Sequence, residues 1–156
     1  MNRLIILLAS FFILISVGSF GYAAGSSDKD KSKNPNPDLK KAKVHIKAEN
    51  YESAISFLEK ALIKEPKNAD IFNLLGYSYR KSGDRINGHL NYNKALELDP
   101  EHEGTLEYQG QLFLQEGNLD KAKENLKKLD ELCLFSCEEY ESLKTAVENY
   151  GMDSSY

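Results

Sequence analysis

Apolar residues recur three and four positions apart in six successive segments, 38–48, 51–64, 69–81, 85–98, 103–116 and 119–132, each followed by a short polar turn. In the second segment Ile55, Leu58 and Leu62 mark one face; in the fifth, Leu112 and Phe113 stand just before Glu116 and the turn Gly117-Asn118. The spacing predicts six helices, and turns this short make neighbours antiparallel. A seventh helix is expected from Cys137, where Tyr140, Leu143, Val147 and Tyr150 form an apolar stripe while Glu138, Glu141, Lys144 and Glu148 are solvated. Ser136 and Glu139 have the spacing of a capping box for it, and Gly151 is read as its stop.

The six segments are not independent. Displacing the chain by 34 positions aligns Ala42 with Gly76 and Gly110, His45 with Tyr79 and Phe113, and Glu49 with Gly83 and Gly117. The same register pairs Ala54 with Gly88 and Ala122, Leu58 with Tyr92 and Leu126, and Pro66 with Pro100. A fixed period of this length signals stacked helix pairs, each unable to bury its apolar face alone. Small residues at 54, 88 and 122 let two backbones approach, and Tyr79, Tyr92 and Phe113 are read as packing residues. Gly88 costs its helix roughly 1 kcal/mol relative to alanine.

The middle unit, 69–102, carries Phe72-x2-Leu75-Gly76-x2-Tyr79, then Gly83, Tyr92, Ala95-Leu96 and Pro100. In this it resembles the tetratricopeptide repeat (TPR), with Gly88 and Arg85 departing from the usual residues. Units 35–68 and 103–136 match in part, and Leu134 stands where proline usually closes the unit. The resemblance implies an all-α fold, a right-handed superhelical solenoid of three helix pairs over 38–136, with a capping helix at 137–151 and a tail at 152–156. The stretch "LCLFSCEEYESLKTAVENY" is also similar to the end of small exported bacterial TPR proteins.

The resemblance further implies a concave groove lined by the first helix of each pair. Carried onto this chain, its positions supply Lys43, Ile46 and Lys47; Asn73, Tyr77, Arg80 and Lys81; and Glu107, Gln111 and Leu114. The first two-thirds of such a groove is basic. That suits an acidic peptide or a C-terminal carboxylate, although the lysine and asparagine pattern of the carboxylate-clamp adaptors is not reproduced. Solvated helix faces remain the alternative for these lysines.

The opening residues place Arg3 before an apolar run, Leu4 to Val17, followed by small residues, which is the layout of a signal peptide cleaved after Ala23. An uncleaved membrane anchor is the alternative. Residues 24–37 read as a linker, its stretch 26–37 polar and without an aliphatic side chain. The expected location is therefore periplasmic or secreted in a bacterium, or else inner-membrane anchored. With 20 basic and 24 acidic residues the chain has a formal charge of −4, which argues against general nucleic-acid binding.

Cys133 and Cys137 are four positions apart, at the end of the sixth segment and the start of the seventh. Within one helix their β-carbons would stand about 5–6 Å apart, too far for a disulfide. A break at Leu134-Phe135-Ser136 removes that obstacle, and an oxidising compartment favours pairing. The expected disulfide would fix the angle of the capping helix; the alternative is a C-x3-C redox or metal site. No nucleophile, base and orienting group assemble in one motif, and no phosphate loop or metal signature is present, so no catalytic residue, metal or cofactor is expected. The leading expectation is a non-catalytic binding module for a protein or peptide, an adaptor or scaffold. A thiol-dependent metal or redox accessory protein and a self-associating structural subunit are its competitors.

Overall fold

The computed structural model describes residues 36–133 and 137–153; the expected leader, most of the linker, and the Leu134-Phe135-Ser136 break with its capping serine lie outside them. The described residues form seven helices: α1 (Pro37–Lys47), α2 (Tyr51–Lys64), α3 (Ala69–Lys81), α4 (Arg85–Leu98), α5 (Glu103–Gln115), α6 (Leu119–Leu132) and α7 (Glu138–Asp153). They follow the bounds read from the periodicity within a residue or two. α1 begins at Pro37, where a missing N–H costs nothing, and Asn36 ahead of it is buried and donates from Nδ2 to the Ala61 carbonyl at 3.1 Å. α7 runs through Gly151 to Asp153, so that glycine does not end it.

One device repeats at the end of each first helix. Glu49, Gly83 and Gly117 have positive φ of 55°, 94° and 76°, and the next residue's N–H closes back on the helix, Asn50 to His45 O at 2.9 Å, Asp84 to Tyr79 O at 2.9 Å and Asn118 to Phe113 O at 2.8 Å. This is a Schellman closure, which satisfies carbonyls left over at a helix end. The same Asn50, Asp84 and Asn118 then cap the second helix, their side chains accepting from the amides of Ser53, Asn87 and Lys121. Three residues thus stop one helix and start the next, which holds each pair antiparallel. In the first unit a glutamate occupies the left-handed position that glycine fills in the other two. Relieving that conformation in Glu49→Gly should raise stability by about 0.5–1 kcal/mol in urea unfolding; a loss of stability would show that the Glu49 side chain contributes more than its backbone costs.

Within the pairs α1 packs on α2, α3 on α4 and α5 on α6; successive pairs meet through α2 with α3 and α4 with α5, and α7 lies against both α5 and α6 as a further first helix would. Buried apolar residues gather in two clusters: Ala42, Leu58, Ala61, Ile71 and Leu75 at one end, and Leu106, Leu114, Ala122, Leu129, Leu143 and Val147 at the other. α4 joins them. Its Tyr92 is fully buried, and the ring lies where a β-carbon on Gly76 would stand only 2.5 Å away. Gly88, where the other units have alanine, brings α4 so close to α3 that a β-carbon there would lie 3.5 Å from the Gly76 carbonyl and 3.3 Å from Leu112. The helix-weakening glycine thus faces the α3 backbone and the Leu112 side chain at contact distance. Tyr79 and Phe113 pack half-buried against the two clusters, as the repeat pattern implies.

Candidate functional site

On α3, residues 73, 77 and 80 fall at i, i+4 and i+7, one face of the helix. Tyr77 meets Tyr108 of α5 with ring centroids 4.9 Å apart and planes at 48°. On its other side Tyr77 meets Tyr51 of α2 edge-on at 6.1 Å. The Arg80 guanidinium carbon sits 5.5 Å from the Tyr77 centroid and 5.9 Å from that of Tyr108, and the Lys81 ammonium lies 5.9 Å from Tyr51. Arg80 is held from inside as well, its Nε donating to the Tyr92 hydroxyl at 3.4 Å. Burial pushes the phenols of Tyr92 and Tyr108 above their ordinary range, so both stay neutral and Tyr92 can accept that bond.

Beside this cluster Glu107 of α5 is buried, and its Oε1 accepts from Gln111 Nε2 at 2.9 Å and from Ser142 Oγ of α7 at 2.5 Å. Burial raises its pKa above the ordinary carboxylate value, against the pull of Ser142 and of Arg80. A raised carboxyl pKa means that ionising Glu107 costs more in the folded chain than in the unfolded one. Wild-type stability therefore loses a contribution as pH rises through the ordinary value near 4.5 to the folded one. Glu107→Gln keeps an acceptor for Ser142 and Gln111 without the charge. Its stability relative to wild type should be higher at pH 7 than at pH 4, measured by urea unfolding at both; a gap that narrows as pH rises would contradict the burial effect.

Of the residues expected in the groove, the structure brings Tyr77 and Arg80 into one cluster with Lys81 at its edge, and joins Glu107 to Gln111. Lys43 and Lys47 of α1 are exposed, and no ion pair or ring contact ties either to the cluster among the described residues. Asn73 is buried with its Oδ1 unpartnered. Arg80 is not a solvated cation but 8% exposed. Leu114 packs in one apolar cluster together with Leu143 and Val147 of α7, and half-buried Ile46 packs against the other. Residues that sequence reasoning passed over complete the site: Tyr108, one position after Glu107; Tyr51, which opens a second helix; Ser142 on the capping helix; and Tyr92, read only as packing. A repeat register that counts only the usual first-helix positions has no place for them.

At the junction of α6 and α7, Cys133 and Cys137 form a disulfide with Cα atoms 5.8 Å apart. α6 ends at Leu132 and α7 starts at Glu138, so neither cysteine is inside a helix. The closed loop is small, and the chain-entropy model gives it about 2 kcal/mol. Cys137 lies near the carboxylates of Glu103 and Glu139, but its sulfur is bonded to Cys133 and is not a thiolate ligand. Across the same end, His102 caps α5 by accepting from the Thr105 amide at 3.2 Å on Nδ1 and meets Asp70 at 3.1 Å on Nε2. The Asp70 contact raises the imidazole pKa and lowers that of the carboxyl.

No curated protein matches the chain. Among solved structures, the first TPR domain of Spaghetti (RPAP3), bound to the HSP90 peptide SRMEEVD, is 16% identical with a TM-score of 0.67, covering 77% of this chain and 92% of that one. The Sgt2 TPR domain from Aspergillus fumigatus is 16% identical with a TM-score of 0.68, covering 78% and 82%. The Yersinia enterocolitica type III secretion chaperone SycD, in complex with a peptide of the translocator YopD, is 18% identical with a TM-score of 0.66, covering 82% and 100%. A sequence model of the tetratricopeptide repeat matches residues 39–62, 69–102 and 109–134. With the repeat matched over more than half its length and the helix pairs stacked accordingly, the chain belongs to the tetratricopeptide repeat family.

Proposed function

We propose that the chain is a non-catalytic adaptor of the bacterial cell envelope that holds an extended polypeptide segment along its first-helix face. The observation that carries this reading is the Tyr51, Tyr77 and Tyr108 series with Arg80 set against it. Tyrosine offers a wide contact area with few rotatable bonds, and arginine beside it adds donors for a polar chain, a combination common at the centre of interfaces. Two of the similar structures, Spaghetti and SycD, hold peptides by their own descriptions. Lys43, Lys47 and Lys81 give the face a positive rim on an acidic chain, favouring an acidic segment or a C terminus, with Asn73, Glu107 and Gln111 behind it. The leader, cleaved after Ala23, would deliver the chain to the periplasm or outside; retained, it would anchor it to the inner membrane.

The exposed lysines give the test that a buried arginine cannot. Lys47 and Lys81 are exposed, so reversing both should leave stability within about 0.5 kcal/mol. In pull-down from the native envelope after crosslinking, Lys47→Glu with Lys81→Glu should lower recovery of the specific partner about tenfold. Undiminished recovery would reject this face as the binding surface. Cell fractionation with an intact mass lacking residues 1–23 tests the location; full-length chain in the cytoplasm would refute it.

A further inference from the structure

Arg80 is the only buried cation among the described residues, and it takes part in none of their ion pairs. Its Nε is used by Tyr92, whereas no acceptor among the described residues takes the terminal N–H groups. Those groups are also not sealed: the buried polar atoms that lack partners are Asn73 Oδ1 and Thr105 Oγ1. The terminal nitrogens therefore keep some contact with solvent, although the residue as a whole is only 8% exposed. A charge so largely removed from water without a counter-ion is costly unless something outside the chain completes it. Glu107 and Arg80 attract each other electrostatically, yet Glu107 accepts from Ser142 and Gln111 and is in none of the ion pairs of the described residues.

We propose that Arg80 is the receptor for a carboxylate of the bound peptide, with Tyr77 and Tyr108 as its walls and Tyr92 as the positioning residue that fixes the fork. This rests on the peptide-binding reading and assigns it a single anchoring contact. The two rings and the guanidinium form a triangle with sides of 4.9, 5.5 and 5.9 Å. Both rings stand beside the guanidinium, whose terminal N–H edge, not used by Tyr92, is left to the ligand. A planar two-oxygen acceptor matches that edge through two parallel N–H···O bonds. An Asp or Glu side chain and a free C terminus present the same group. The hydrogen bond from Arg80 Nε to Tyr92 leaves the remaining donors for that match.

The test uses the full mature chain and a pool of acidic heptapeptides in three forms: free acid, C-terminal amide, and free acid with Asp and Glu replaced by Asn and Gln. Binding is read by fluorescence anisotropy and by the Arg80 Nε–H resonance. The free acid should bind and shift that resonance. Arg80→Met should weaken binding about 10- to 100-fold, Arg80→Lys less, and Tyr92→Phe several-fold; amide spectra that stay dispersed show that each variant is folded. Loss of binding with the amide assigns the C terminus, and loss with the neutral side chains assigns Asp or Glu. Equal binding by wild type and a folded Arg80→Met, or by all three peptide forms, overturns the carboxylate receptor but leaves the groove standing. No binding of any form, in a chain that still captures its envelope partner through Lys47 and Lys81, overturns the receptor too. If the capture also ignores those lysines, the binding face itself is lost.

Discussion

Replacing Tyr92 by alanine is expected to cost about 3–5 kcal/mol, the range for removing a buried aromatic ring. The ring is fully enclosed and lies against a glycine chosen for it, since any β-carbon at Gly76 would collide with it. Its removal opens a cavity in α4, the element between the two apolar clusters, and leaves Arg80 Nε without its acceptor. In a linear array whose units touch only their neighbours, damage in the middle unit also divides the ends from each other. Urea unfolding of Tyr92→Ala should therefore show a lower midpoint and a broader transition. Tyr92→Phe, which loses only the hydroxyl, should cost about 1 kcal/mol. If Tyr92→Ala costs no more than Tyr92→Phe, the ring does not join the clusters.

Leu143→Ala should cost about 2–5 kcal/mol, and locally. Leu143 is fully buried at the contact of α7 with α5, filling the space that a side chain on Gly110 would take. α7 is also held by Val147, by Tyr140, Ala146 and Tyr150 packed against the same cluster, by the Ser142 contact with Glu107, and by the disulfide at its start. Hydrogen exchange should show α7 amides losing protection while α3 and α4 keep theirs. Equal loss of protection in all seven helices would mean that the array opens as one unit and that α7 is not an independent cap.

How much of this was legible in the sequence follows from what a period can encode. A 34-residue register carries backbone geometry, so the helices, their turns and the small residues at 54, 88 and 122 were readable position by position. The alignment of Glu49 with Gly83 and Gly117 even marks the left-handed residue, although its φ of 55° needed the structure. The site was legible only in outline. Tyr77 and Arg80 were named from their repeat positions, but the register is silent on side chains that cross between units, as Tyr108 does to reach Tyr77 and Arg80. Nor does it give depth. Lys47 and Arg80 look alike as basic groove residues, yet one is exposed and the other is enclosed by three tyrosines. Reversing the charge of Arg80 would put an unpaired carboxylate where a guanidinium is held, so that substitution tests folding before it tests binding. Gly151 shows the same limit, because glycine as a helix stop is a local tendency that the neighbours of α7 override.

The claim on which all of this turns is that partners meet the tyrosine and arginine face. It is tested most directly by placing a photo-crosslinking residue at Lys81, beside Tyr51, and separately at Leu90, which is 60% exposed on α4. Both chains would be irradiated in the native envelope. The account predicts a discrete adduct from position 81 and none from position 90. An adduct from position 90 alone would place the working surface on the second helices and contradict it.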